Sequence, residues 1–144
     1  MLEKLSKRLR AYAEKDGRGY PDWALRYAPV ARRLSKGGLA GKRILEIGAN
    51  ENGLARFVSA RIVSADLSLE QVQAARGRQS IVPVQADLAA LPFADDSMEV
   101  CVCMDTLEHI PPENREKAIA SILRVLHPRG RAVIGFPSGE EAAA

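Results

Sequence analysis

The chain has little cysteine: two residues in 144, Cys101 and Cys103, both in one apolar stretch. Alternating along an extended segment, they face the same way and lie too close in sequence for an ordinary disulfide. The fold therefore has to rest on a hydrophobic core rather than on cross-links. C-x-C with no further Cys and no nearby His is not a zinc signature, and free thiols of this kind are usually packing residues. Long hydrophobic runs are also missing, since no uninterrupted apolar stretch approaches the ~20 residues that a membrane-spanning helix needs. Met1-Leu2-Glu3-Lys4 leads into mixed charge instead of the apolar core of a signal peptide, so the chain reads as cytoplasmic. Internal repeats and low-complexity segments are absent as well.

What is present fits one domain of ordinary soluble composition, 47% hydrophobic and 27% charged. The net charge of +3 is concentrated early, from Lys4, Lys7 and Arg8 to Lys42 and Arg43. A basic start can meet RNA, an acidic protein or an anionic membrane. However, Leu2, Leu5, Leu9 and Tyr12 recur at helical spacing, which makes these cations the solvated face of an amphipathic helix over Leu2–Glu14. A second helix begins near Asp22 with Trp23, Tyr27, Val30 and Leu34 on one face, and Pro29 predicts a kink or a break. Residues 1–41 are thus expected to form a helical cap and connector, and residues 42–144 the main domain.

The main domain is organised around Arg43-Ile44-Leu45-Glu46-Ile47-Gly48-Ala49-Asn50-Glu51-Asn52-Gly53. Ile44, Leu45 and Ile47 form the short apolar run of a strand covered on both faces of a parallel sheet. Gly48 lets the backbone approach a ligand, and Asn50 and Asn52 are side chains that tolerate a left-handed turn. A short helix from Gly53 to Val58 would aim its first free N–H groups back at the turn. This pattern describes a nucleotide-type pocket, which two ligand classes use. Gly48, Asn50 and Gly53 fit a degenerate dinucleotide fingerprint, with Asp66 at the distance of a ribose contact. Glu46 points the other way: a pyrophosphate gains nothing from an anion there, whereas an ammonium or sulfonium ligand does.

Ala60–Ala65 reads as a second strand delivering Asp66, whose carboxylate can accept hydrogen bonds from two ribose hydroxyls, worth about 1.5–3 kcal/mol each when shielded from water. Its structural rival is a helix cap, but Ser68 and Gln71 form a capping box for a helix over Leu69–Arg76 and leave Asp66 available. Ile81–Gln85 is the third strand, which Pro83 places at a sheet edge. Val100–Met104 is the fourth and opens into Asp105-Thr106-Leu107-Glu108-His109. His109 is a side-chain type that can take a proton from an oxygen or nitrogen nucleophile, or it orients the loop by hydrogen bonding. Glu113–Leu126 is an amphipathic helix, His127–Arg131 a turn and Ala132–Phe136 the fifth strand.

The acidic residue and glycine of the first loop, the block from Leu91-Pro92-Phe93 to Val100, the Leu107-Glu108-His109-Ile110 segment and the turn at Pro128 resemble the class I S-adenosylmethionine-dependent methyltransferases of the type 11 methyltransferase-domain family. That family's first motif reads acidic-x-G-x-G-x-G and its later connection L-P-F-x-D-x-S-F-D-x-V. Here Asn50 and Asn52 replace two glycines, and Met98 and Glu99 vary the connection. The resemblance implies an α/β, Rossmann-like, doubly wound sheet of order 3-2-1-4-5 with an N-terminal helical cap. It implies methyl transfer from S-adenosylmethionine to a small-molecule acceptor by in-line displacement, leaving S-adenosylhomocysteine. In this reading Glu46 and the backbone of Gly48, Ala49 and Asn50 hold the methionine part. Asp66 and Leu67 meet the ribose and Asp87 and Leu88 the adenine, with Asp87 as a cap for the next turn as its alternative role. Met104 and Asp105 line the reacting end, and His109 is the candidate base.

Asp105, Glu108 and His109 are also similar to the E-x-x-E-H site of certain divalent-cation-dependent methyltransferases, which keeps Mg²⁺ or Mn²⁺ in view as a minor alternative. Two other readings compete. A nicotinamide-dependent oxidoreductase is disfavoured by Glu46 and by the two later blocks; a non-catalytic module of the same fold, serving as a scaffold, is favoured by the missing loop glycines. The resembled fold has two further strands after the fifth, so the sequence is expected to be part of a longer chain. The fifth strand is then expected as an open edge that invites a homodimer.

Overall fold

The computed structural model describes residues 21–48 and 53–136. The helix expected over Leu2–Glu14, the loop residues Ala49, Asn50 and Asn52, and the segment from Ser138 lie outside the described residues. The rest falls into two units, one ending at Gly38 and the other starting at Leu39. In the first, α1 (Pro21–Lys36) buries Tyr27, Ala31 and Leu34, the i, i+4, i+7 stripe of an amphipathic helix. Pro29 does not divide it. The proline ring frees the carbonyl of Leu25, and Leu25 is 54% exposed, so water can satisfy that group.

The second unit is a five-stranded sheet of β1 (Ile44–Ile47), β2 (Ile62–Asp66), β3 (Ile81–Gln85), β4 (Met98–Met104) and β5 (Leu126–Gly135), in the order β3-β2-β1-β4-β5. All four pairings are parallel, which bears out the fold class and strand order expected from the sequence. Parallel neighbours need crossovers, and these are α2 (Leu69–Ala75) between β2 and β3 and α3 (Pro112–Val125) between β4 and β5. Ser68 caps α2 through the N–H of Gln71, as the capping box predicts. Pro83 sits on edge strand β3. Ser80 and Ala86 make the bonds to β2, so residue 83 turns its missing N–H away from the sheet.

Two expectations are corrected. The helix over Gly53–Val58 is only a 3-10 turn at Leu54–Arg56, closed by i to i−3 bonds from Arg56 to Gly53 and from Phe57 to Leu54. Gly53 brings no capping side chain, so nothing local extends the turn. The turn over His127–Arg131 is absorbed into β5, which starts at Leu126. Between Met98 and Val100 the pairing slips, so that Leu126 faces Met98 while Arg131 already faces Val100. The residues between bulge outward, and Gly130 passes close to the carbonyl oxygens of His127 and Glu99, where a Cβ has no room.

The central strands β1 and β4 are buried on both faces, as their unbroken apolar runs require. On one face Leu45, Ile47, Ala65, Cys101 and Cys103 pack with Ala118, Ile122 and Val125 of α3. The other face carries Ile44, Ile62, Val100 and Val102, and among them the buried Glu46 and Ser64. Burial pushes the Cys101 thiol up to about 12, with Cys103 adding to it, and the Cys103 thiol up to about 11. Both cysteines are therefore neutral packing groups.

This burial makes two tests. Ellman's reagent at pH 8 should leave both thiols unmodified until the protein is unfolded; rapid labelling of folded protein would contradict the packing. Because both folded pKa values lie above the ordinary 9.0, their contribution is intact below pH 9 and is lost as the pH rises toward 11 to 12. Urea midpoints should fall over that range, and the fall should be shallower in Cys101→Ala.

Candidate active site

In an open parallel sheet the crevice lies outside the carboxyl ends of the strands where the order reverses, here between β1 and β4. β1 ends at Gly48, which has φ +72, and a side chain there would run into Thr106. Thr106 follows β4, and its hydroxyl donates to the carbonyls of Ile47 at 3.3 Å and Met104 at 3.0 Å. Only glycine fits beneath this hydroxyl, for reasons of both φ and space.

A cavity of about 680 Å³ opens over this point, within the usual range for small-molecule sites. Its walls come from Ile47 and Gly48 after β1, Asp66 and Leu67 after β2, Asp87 to Leu91 after β3, the Thr106–Pro111 loop after β4, and Asn114 and Lys117 of α3. Asp66 and Asp87 are built alike. One oxygen of Asp66 accepts the Ser68 N–H at 2.7 Å, and one oxygen of Asp87 accepts the Ala89 N–H at 2.8 Å. Each is an Asx turn, in which the side chain grips the backbone two residues on and turns toward the cavity. For Asp87 the capping role is thus realised, on the 3-10 turn Leu88–Ala90, together with a place in the cavity wall.

Of the residues expected at a site, the cavity brings together Gly48, Asp66, Leu67, Asp87, Leu88 and His109. Met104 and Asp105 are not in its lining, although Asp105 has φ +49 and donates its N–H to Gly135 at the end of β5. Glu46 is also outside it. That carboxylate is only 2% exposed and accepts the Leu54 N–H with both oxygens, at 2.8 and 2.9 Å. Gly53 lies so close to the same oxygens that a Cβ there would overlap them. Glu46 therefore fastens the end of the loop that follows β1. Among the described residues no group of three His, Cys, Asp or Glu side chains converges to hold a metal ion. Asp105, Glu108 and His109 accordingly do not assemble: His109 lines the cavity, whereas Oε2 of Glu108 is buried.

Sequence reasoning missed the cavity's supports. Arg115 of α3 donates to the carbonyls of Ile110 at 2.9 Å and Glu108 at 3.1 Å, which holds the His109 loop. Near the other end of α3, Ser121 accepts the Leu91 N–H, and Arg124 donates to the carbonyls of Leu91 and Phe93 and pairs with Asp95 at 2.6 Å. Arginines on a helix flank look solvated in a sequence, and only the fold shows which carbonyls they reach. Thr106 carried no signal beyond its place after an apolar strand.

A doubly wound parallel sheet with this cavity defines a nucleotide-cofactor domain of the Rossmann-like class. Residues 45–134 match the methyltransferase domain family, and the chain belongs to it. Membership implies S-adenosylmethionine as the cofactor. The 27-O-demethylrifamycin SV methyltransferase of Amycolatopsis mediterranei is 32% identical over 122 residues, covering 73% of this chain and 44% of that protein. Methyltransferase GfsG of Streptomyces halstedii is 30% identical over 106 residues, covering 66% of this chain and 37% of that one. The chain spans less than half the length of these curated relatives. Among solved structures, a SAM-dependent methyltransferase from Aquifex aeolicus superposes with a TM-score of 0.62 at 18% identity, covering 77% of this chain and 65% of that one. At that identity the likeness is one of fold. No helix among the described residues is long and apolar enough to cross a membrane.

Substitutions at the base of the site have defined costs. Glu46→Ala leaves the Leu54 N–H buried without its acceptor and should cost about 1–3 kcal/mol in urea unfolding. Gly48→Ala should cost about as much through backbone strain and displacement of Thr106. A stability within experimental error of the parent in either variant would contradict the geometry.

Proposed function

We propose that this domain binds S-adenosylmethionine in the cavity above β1 and β4 and serves methyl transfer to a small-molecule acceptor. The observation that carries this reading is the joint placement of Asp66 and Asp87 over the Gly48 turn, each with one carboxylate oxygen held by the backbone. Such oxygens are pre-oriented, and the second oxygen of each is the natural acceptor for a ribose hydroxyl and for an adenine amino group. Leu88, Leu91 and Ile110 supply apolar wall for a flat base. The size and the acceptor set both suit the nucleoside part of the cofactor. Glu46 acts at one remove, fixing the loop that approaches the methionine part.

The cofactor, when bound, supplies a methyl group activated by a sulfonium centre. In-line displacement asks the protein to align donor and acceptor and to keep water away, more than to provide strong acid or base. His109, exposed on a loop held by Arg115, is proposed as the group that receives a proton from a hydroxyl or amine acceptor. A small-molecule acceptor is supported by the relative named for 27-O-demethylrifamycin SV.

Calorimetric titration with S-adenosylhomocysteine, beside NADH, tests the reading. S-adenosylhomocysteine should bind and NADH should not, and Asp66→Ala should weaken binding at least about tenfold, the loss of one charge-assisted hydrogen bond. His109→Ala should leave that affinity unchanged. Folded protein that ignores S-adenosylhomocysteine, or an Asp66→Ala variant that binds it as well as the parent, would overturn the assignment.

A further inference from the structure

Most N–H groups of the Asp87 turn are already engaged. Asp87 accepts the Ala89 N–H with its side chain and the Ala90 N–H with its carbonyl, and the Leu91 N–H goes to the hydroxyl of Ser121. In the run 88–91 the Leu88 N–H alone is left without an acceptor among the described residues. An adenine ring asks for more than that. Its amino group carries two hydrogens, one beside N1 and one beside N7, and both ring nitrogens accept. With the ribose at Asp66, the base points at the neighbouring strand end with the edge farthest from its sugar, which carries N1 and the amino group. Asp87 and the Leu88 N–H can serve that edge. N7 and the second amino hydrogen then lie along the flank.

α3 supplies the flank. Ser121 holds the Leu91 N–H, and Ala118 and Ile122 pack in one cluster with Leu88 and Leu91, so this stripe of the helix lies against the turn. Lys117 and Asn114, one and two turns before Ser121 on the same stripe, both line the cavity. Lys117 is exposed and Asn114 half-buried. Asn114 takes no part in capping, since the N-cap residue is Pro111 and no side chain bonds there. Its amide has no hydrogen-bond partner among the described residues. It also pairs a donor with an acceptor on one planar group, whereas a lysine has donors only. The Thr106 hydroxyl, another donor of the wall, is engaged by the carbonyls of Ile47 and Met104.

We infer that Asn114 is a second reader of the base: its amide nitrogen donates to N7 and its amide oxygen accepts the amino hydrogen on that side. The inference rests on the proposal that the cavity takes the nucleoside of S-adenosylmethionine. This bidentate pairing is the one by which asparagine reads adenine in nucleic acids. Both amino hydrogens are then accepted, by Asp87 and Asn114, and both N1 and N7 receive donors. A purine with an oxygen in place of the amino group meets two acceptor oxygens instead, so the site rejects it as well as selecting adenine.

Calorimetry with S-adenosylhomocysteine and its 7-deaza analogue, in which a C–H replaces N7, tests this. The parent should bind the analogue about tenfold more weakly. In Asn114→Leu, S-adenosylhomocysteine should lose at least about that factor and the two ligands should bind alike. Asn114→Asp keeps the size and the acceptor but sets a carboxylate against the N7 lone pair. It should prefer the 7-deaza analogue, a reversal that misfolding cannot produce. Lys117→Met should keep the parent's preference, and the penalty for a 1-deaza analogue should be the same in the parent and in Asn114→Leu. A parent indifferent to N7, while its affinity for S-adenosylhomocysteine still depends on Asp66, would overturn this inference and leave the cofactor reading standing. So would a preference for N7 that survives in Asn114→Leu or vanishes in Lys117→Met. Folded parent that ignores S-adenosylhomocysteine would overturn both.

Discussion

The hydroxyl of Thr106 sits where the strand order reverses, and the site depends on it. β1 and β4 are neighbours in the sheet but feed loops that turn to opposite sides, and only their carboxyl ends form a crevice. Thr106 bridges the last carbonyls of both strands, and Gly48 passes beneath it in a conformation other residues resist. On the other face of β1 the buried carboxylate of Glu46 grips the Leu54 N–H and closes the loop from the far side. A carboxyl group this deep is stable only when its oxygens are engaged, so here the strand end and the loop end define each other.

α3 performs a second task beyond covering the sheet. Arg115 near its start holds the carbonyls of the His109 loop, and Ser121 and Arg124 near its end hold the Leu91–Asp95 segment. The Arg124 pair with Asp95 is largely exposed, and by itself such a pair contributes about 0–1 kcal/mol. Its neighbours matter more, since charged donors to backbone carbonyls fix irregular segments that have no ladder of their own. Two walls of one cavity thus share a rigid support, and a ligand meeting both finds them already in place.

The central strands β1 and β4 were legible because they are buried on both faces, a condition that leaves apolar runs of fixed length ended by turn residues. Pro83 placed β3 at an edge, and Ser68 with Gln71 marked the start of α2. Where the reading failed, the signal was non-local. Gly53–Val58 has helical composition, but one 3-10 turn is all that forms, and its first N–H is held by Glu46, a partner remote in sequence. His127–Arg131 has the residues of a turn, and a bulge pairs its ends with β4 nonetheless. The sequence proposed Glu46 as a cofactor-holding acid and did not reveal the loop fastener, because its partner is a backbone N–H eight positions away rather than a side chain with a recognisable type.

In the role proposed for Asp66 and Asp87, a cap and a ligand contact need not be rivals. A free aspartate side chain samples several rotamers, and ordering it on binding costs conformational entropy. With one oxygen committed to an N–H two residues on, as in both Asx turns, that cost falls at folding instead of at binding. The committed oxygen also orients the other, and the carboxylate's remaining lone pairs exceed what the turn consumes. The same geometry recurs after two successive strands of a parallel sheet, whose carboxyl ends lie side by side. Two pre-oriented acceptors therefore reach one cavity from adjacent strand ends, as an extended nucleoside with polar groups at both sugar and base requires.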